Sequence, residues 1–430
     1  MFGNLCGKKV LLIGGIGPTA DIIGLAHRNN VKVGVADYNK NTYVKSIADF
    51  VHDINILDVD AVVDLCKREK YDGVISNFND MLLPYVEKVA QKLGFYVPYS
   101  EHQYLMSTNK KYFKETCKKY SVSTPLEYSY KDPSSLSEIS LPVIVKPVDG
   151  SGSKGITICK TKEELISGIE KAKKASKCED IVIEDYIDGD EINVTYIAQD
   201  GKIEFAAIHD RYFNTSQEGY VQVPDLYIYP SKYLKLYLET CNEYVLNMLH
   251  GLGIKNGSLF FQACVANDKI YIYEAGMRLN GCKTYQILEY ENGYNTFERL
   301  LNYSLVGNMG PYVMQSPCFD NWYATINVLG KPGETIEKFE GIEELKTYPW
   351  LIHIARQFYE GETIPLNAIG TLLQDTTRIH ISARTKDELI QRIKKVNDMY
   401  KLINPKGENI ILEPHDLSDI RCNLNYNLKG

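Results

Sequence analysis

The first apolar positions form a continuous run, Lys9–Ile13 (KVLLI), and the following stretch, GGIGPTADIIGLAHRNN, carries its apolar residues at helical spacing. The same order recurs through VKVGVADY, a helical stretch near Val59–Glu69 and DGVISNFND. Strands alternating with helices in this way predict a parallel sheet covered on both faces over residues 8–100. Residues 104–125 read as a basic helix that stops near Ser121 before an extended Thr-Pro. After it, SLPVIVKPVDGSGSKGITIC reads as strand, Gly-rich loop and strand, and TKEELISGIEKAKKA as a helix opened by a capping box from Thr161 to Glu164. IVIEDYI and EINVTYIA complete a small α+β module as its third and fourth strands. The strand KIEFAAIHDRY, an irregular stretch to Pro230 and a helix near Lys232–His250 lead to residues 257–283. There Ser258–Val265 and Lys269–Glu274 alternate on either side of Ala-Asn-Asp, which predicts a β-hairpin. A helical segment, LEYENGYNTFERLLNYSLVG, follows. The remainder has strands WYATINVL and TTRIHISA, a helix at Lys386–Leu402 and a polar tail.

With 430 residues and 44% hydrophobic content, the chain can bury several cores, so two to four domains are expected. A net charge of −7 argues against nucleic acid or a membrane surface as a general partner, since both repel an acidic protein. No apolar run reaches membrane-spanning length and Met1–Lys9 lacks the apolar core of a signal peptide, so a cytoplasmic protein is expected. The 10 cysteines form no CxxC pair, which disfavours a zinc site or a disulfide framework.

Several stretches carry candidate chemistry. Gly14, Gly15 and Gly17 follow the first strand and Asp37 ends the second, a partial match to a dinucleotide fingerprint. Pro18 and the glycine spacing depart from it, which favours a tight strand-to-helix turn. Asn77, Asn79 and Asp80 end a later strand, where ligands of open parallel sheets collect. The loop from Asp149 to Gly155 has glycines and serines whose N–H groups can wrap anionic oxygens, with Lys146 and Lys154 adding charge. It lacks the GK[ST] helix start of a P-loop, and a flexible hairpin tip is its plain alternative. In the hairpin, Gln262 and Glu274 are expected to face each other, with Arg278 four residues beyond. An oxygen ligand, a carboxylate and a guanidinium at one strand end suit a magnesium-bound phosphate. An ordinary surface hairpin with polar ends is the alternative.

Taken in order, these motifs resemble the ATP-grasp superfamily, and within it the carbamoyl-phosphate-synthetase-like and L-amino-acid-ligase branch. The resemblance runs from about residue 8 to 310 and more loosely to the end. It implies an α/β and α+β chain: a Rossmann-like pre-ATP-grasp domain over 1–103, an ATP-grasp core over 104–310 with a mobile lid at about 126–196, and a C-terminal α+β region, 311–430, packing on the core. ATP would meet Lys110 and Lys146, the lid loop Gly150, Ser151, Gly152, Ser153, Lys154 and Gly155, and the segment in which Glu184 and Tyr186 lie at the adenine edge and Glu191 at the ribose. Mg2+, or Mn2+, would be held by Gln262 and Glu274. Arg278 and Lys146 would be the catalytic charges, and His209, Arg211, Arg278, Asn280 and Gly281 would line the substrate pocket. The chain departs from the family at Gly276, where a second metal-binding Asn is expected; Asn280 is a candidate replacement.

The resemblance implies an ATP-dependent carboxylate–amine ligase, acting on amino acids or similar small substrates through an acyl phosphate and releasing ADP and phosphate. A carbamoyl-phosphate-synthetase-like or carboxylase-type enzyme and a degenerate, non-catalytic ATP-binding protein are the alternatives. Expected partners are small-molecule carboxylate and amine substrates, with no nucleic acid, no membrane, and a homodimer left open.

Overall fold

The structure, a computed structural model, describes residues 3–420 except 41, 131–132, 150–154, 215–222 and 419. Its N-terminal part is a parallel sheet in the order Phe50–Asp53, Lys32–Asp37, Lys9–Ile13, Gly73–Ile75. The first strand is apolar throughout because both its faces are covered. Val10 and Leu12 enter one core with Ile22 and Leu301, and Leu11 and Ile13 enter another with Val62 and Val86.

The glycine turn after this strand is a tight turn. Gly15 N–H donates to Asp37 Oδ2 at 2.8 Å, so the acid a dinucleotide ribose would need is engaged by the turn. A Cβ at Gly17 would lie 2.9 Å from the Gln357 carbonyl oxygen, which is why only glycine lets the turn approach the C-terminal part so closely.

The expected basic helix is two helices, Glu101–Thr108 and Lys110–Lys119. Asn109 divides them, its side chain accepting the Tyr112 N–H as an N-cap. Lys110 therefore opens a helix. Beyond lies a four-stranded sheet in the order Glu127–Tyr128, Ile181–Asp185, Val143–Pro147, Thr157–Cys159. Helix Lys162–Ala175 covers it, burying Leu165, Ile169 and Ala172 against Val143, Val145 and Ile183.

EINVTYIA is not part of this small sheet, contrary to expectation. As Asp190–Gln199 it pairs with Lys202–Asn214 and Gly257–Ala266 inside an eight-stranded antiparallel sheet. From Asn193 to Gln199 it is buried throughout, as a strand with neighbours on both sides and both faces covered must be.

That large sheet runs Lys269–Gly276, Gly257–Ala266, Asp190–Gln199, Lys202–Asn214, Val223–Tyr229, Trp322–Leu329, Asp375–Ala383, Leu351–Arg356. The C-terminal strands thus extend the sheet that carries the hairpin, joined to it where Leu226–Tyr229 pairs with Tyr323–Ile326. No helix among the described residues is long and apolar enough to cross a membrane.

Candidate active site

The hairpin turns through Asn267 and Asp268, both left-handed (φ 50° and 56°), a conformation their short polar side chains tolerate. Its register sets Gln262 opposite Glu274. Immediately after that pair the register shifts, with Ala263 opposite Ile272, so Tyr273 is the extra residue of a bulge. Glu274 is exposed, whereas the Tyr273 hydroxyl donates to Glu191 Oε2 at 2.7 Å and lies 3.2 Å from Gln262 Oε1. Arg211 joins the same group: its Nη1 donates to Glu191 Oε2 at 2.5 Å, to Tyr273 at 2.9 Å and to Gln262 Oε1 at 3.2 Å. Arg211, Glu191, Gln262 and Tyr273 therefore form one network spread over four adjacent strands. Tyr273 escaped the sequence reading because the bulge that aims it inward has no signature in the alternation.

The lysines form a second cluster. Lys146 Nζ contacts Glu184 Oε1 and lies 5.3 Å from the centre of the Tyr273 ring. Lys114 Nζ meets the other oxygen of Glu184 at 2.5 Å and donates to the Pro125 carbonyl at 2.8 Å. Glu184 is only 1% exposed, so its side chain is not an open adenine edge. Burial would raise the Glu184 carboxyl, but Lys146 and Lys114 bring it below its usual range. Lys110 stands in the same field: burial pulls its ammonium down, and Glu274, Lys146 and Glu184 are the nearest charges acting on it. Lys114 was missed by sequence reasoning; the signal was its spacing four residues after Lys110 on one helix face. Tyr186 is half-buried, its N–H on the Pro142 carbonyl. Of the lid loop, Gly155 is left-handed at φ 76°, while Gly150, Ser151, Gly152, Ser153 and Lys154 lie outside the described residues.

Past Glu274 the chain is tied down on several sides. Arg278 donates through Nε and Nη2 to Asp80 Oδ2, both at 2.6 Å, and its guanidinium stacks 5.2 Å from the Phe260 ring centre. Asp80, which does not end the strand Gly73–Ile75 as expected but opens the short helix Asp80–Leu82 beyond it, thus reaches the hairpin. Asn280 donates to Thr195 at 3.1 Å and Thr284 at 2.8 Å and accepts the Thr284 N–H at 3.0 Å. Its side chain closes the turn and does not line a pocket. The Gly281 carbonyl accepts from Arg378 Nη1, and the Cys282 carbonyl lies 3.2 Å from His380 Nε2. Lys283, left-handed and 1% exposed, pairs with Asp21 at 2.8 Å, and Tyr285 donates to the same carboxylate oxygen at 3.0 Å.

His209 also departs from expectation. It is fully buried, 4.4 Å from the Tyr229 ring and 3.5 Å from Cys282 Sγ. Burial, with Arg211 nearby, drives its imidazole well below the usual range, so it is a neutral packing residue beneath the turn.

A magnesium-bound nucleotide fits part of this donor set. Lys110 and Lys146 offer charge for phosphate oxygens and Glu274 an exposed carboxylate. Gln262 Oε1 already accepts from Arg211 and lies 3.2 Å from the Tyr273 hydroxyl. Among the described residues no group of three or more His, Cys, Asp or Glu could hold an ion unaided, so phosphate oxygens would have to share the coordination, as is usual for magnesium.

Residues 139–286 match the ATP-grasp domain family. Among curated proteins the chain is similar to the ATP-grasp enzyme fsqD of Aspergillus fumigatus, 28% identical over 142 residues, which cover 31% of this chain and only 25% of that protein. The phosphoribosylamine–glycine ligase of Fusobacterium nucleatum is 27% identical over 300 residues, covering 65% of this chain and 70% of its own. Among solved structures, an L-amino acid ligase from Bacillus licheniformis superposes with a TM-score of 0.72 at 19% identity, covering 93% of this chain and 99% of that one. That likeness shows a common fold.

Proposed function

We propose that the chain is an ATP-dependent carboxylate–amine ligase acting on amino acids or similar small molecules. The observation that carries this reading is the gathering of Lys146 and Lys114 on the buried Glu184, with the exposed Glu274 carboxylate among the charges acting on Lys110 beside them. ATP with magnesium would supply the phosphoryl group that turns a substrate carboxylate into an acyl phosphate with ADP leaving, after which an amine attacks the acyl carbon and phosphate leaves. The residues of the chain bind, orient and neutralise. Lys110 and Lys146 hold phosphate oxygens, Glu274 takes the ion, and Arg278, aimed by Asp80 and Phe260, balances charge on the transferring group. For Lys146 to reach a phosphate it must leave Glu184. Lys114 stays behind, so the buried carboxylate keeps one partner throughout. Arg211 positions Glu191 and Gln262, and water has to be kept from the activated carboxyl. The carboxylate substrate is proposed to lie against Arg278 and the Gly281 backbone.

The test is an ADP-release screen over pairs of amino acids with magnesium, with bicarbonate as an added acceptor. Release that needs both a carboxylate and an amine, and that Glu274→Ala abolishes, supports the ligase. ATP binding without ADP release for any pair would make the chain a nucleotide-binding module. Undiminished release in Glu274→Ala would remove that residue from the metal site.

A further inference from the structure

We infer that this chain holds a single divalent ion beside its nucleotide, through Glu274, and that the Phe260 ring fills the position from which a second ion would be held. The inference rests on the proposed ATP-dependent function.

Hard divalent ions need oxygen ligands, and the oxygens near this strand end differ in what already engages them. The Glu191 carboxylate takes Arg211 and Tyr273 on Oε2, and the guanidinium repels a cation from it. Gly276 pairs with Phe260 across the hairpin. A Cβ at Gly276 would stand 2.1 Å from Phe260 Cε1 and 2.2 Å from Cζ, so no side chain fits there while the ring is present. The ring is itself held in place, because the Arg278 guanidinium stacks on it. Gln262 has an oxygen of the right kind, but Arg211 donates to it and the Tyr273 hydroxyl lies 3.2 Å away, so a cation there would face the guanidinium charge. Asn280, the other amide of the turn, is 4% exposed and spends its oxygen on the Thr284 N–H. Asp80 keeps one buried oxygen, Oδ1, without a hydrogen bond, yet the Arg278 guanidinium sits on the same carboxylate and repels a cation. Glu274 remains. One carboxylate with phosphate oxygens and water is an ordinary magnesium site, and it serves one ion. The charge a second ion would bring falls instead to Arg278, Lys146 and Lys110. The pair Phe260 and Gly276 is thus a size exchange, in which an aromatic platform for the arginine replaces a metal ligand.

Mn2+ is the probe. The wild-type chain is saturated with the non-hydrolysable analogue AMP-PNP, nucleotide uptake is measured by calorimetry, and bound Mn2+ is counted by electron paramagnetic resonance. One ion per nucleotide-loaded chain is expected, with affinity at least tenfold weaker in Glu274→Gln. Gly276→Asn alone should remain at one ion, whereas Phe260→Ala/Gly276→Asn should bind two. Two ions in the wild type, or a second ion in Gly276→Asn with Phe260 retained, overturns the inference and leaves the ligase reading standing. A double variant that stays at one ion overturns the role given to Phe260. Absence of AMP-PNP uptake by the wild type overturns the function and the inference together.

Discussion

The two sides of the hairpin end are built on opposite terms. On the lysine side, Lys110, Lys114, Lys146 and Glu184 balance one another, with two ammonium groups on one carboxylate, so one of them can be lent to a ligand without stranding the other. On the turn side each group has its own fixed partner from a different part of the fold: Asp80 and Asp21 from helical segments beside the N-terminal sheet, Thr195 from the large sheet, Arg378 and His380 from its C-terminal strands. A site for phosphoryl transfer needs both, charge that can shift when a nucleotide arrives and a platform that holds the second substrate still.

The contrast can be broken most forcefully at Asp21. Its replacement by Ala leaves Lys283, 1% exposed, as a buried charge without its carboxylate, and should cost about 3–5 kcal/mol of stability in urea denaturation. A loss of less than about 1 kcal/mol, as for a surface pair, would mean the turn is not locked from this side. On the lysine side, Lys146→Ala should lower kcat/KM for ATP by about 10²-fold, as for loss of one charge-stabilising contact. Its unfolding midpoint should hardly move, since Lys114 still answers Glu184; unchanged kinetics would take Lys146 out of the site. Lys114→Met should act less strongly and in a different way. With Glu184 left to Lys146 alone, KM for ATP should rise about tenfold at nearly constant kcat, in keeping with a charged hydrogen bond of about 1.5 kcal/mol. A loss of stability with KM unmoved would make Lys114 purely structural.

A separate effect, read in the pH dependence of stability, concerns Asp210, next to His209 on its strand. Burial pushes its carboxyl up to about 7, while Ser231 and the Lys232 N–H oppose the rise. Between the ordinary carboxylate range near 4 and about 7, the folded chain keeps a proton that the unfolded chain has released, so stability falls as pH rises through that window and levels off above it. Asp210→Asn should flatten that slope in denaturation midpoints measured from pH 4 to 8. An equal slope in both proteins would show that Asp210 does not carry it.

Much of this architecture was legible beforehand, because it depends on neighbours in sequence. The KVLLI run, the capping box at Thr161 and Glu164 and the Asn-Asp hairpin turn express local chemistry, and the pairing of Gln262 with Glu274 follows from the turn length. Where two elements were read as one, a single residue made the difference. Asn109 caps a new helix inside the basic stretch, and Gly293, left-handed at φ 74°, ends one helix before the next begins at Thr296. The sequence pattern marks EINVTYIA as a strand, but not the sheet it joins, and this is why that strand was assigned to the small module.

The same division holds for the site. Residue type and order along the chain indicated which side chains are suited to phosphate, metal and carboxylate. Their engagement was settled by contacts between residues far apart in sequence: Lys114 and Lys146 on Glu184, Arg211 on Gln262, Asp80 on Arg278, and Phe260 against Gly276. A carboxylate or amide carries the same chemistry in any sequence, but whether it is available to a ligand depends on what already occupies its lone pairs. Here that was decided by strand register, one bulge and the meeting of the N-terminal sheet with the hairpin turn.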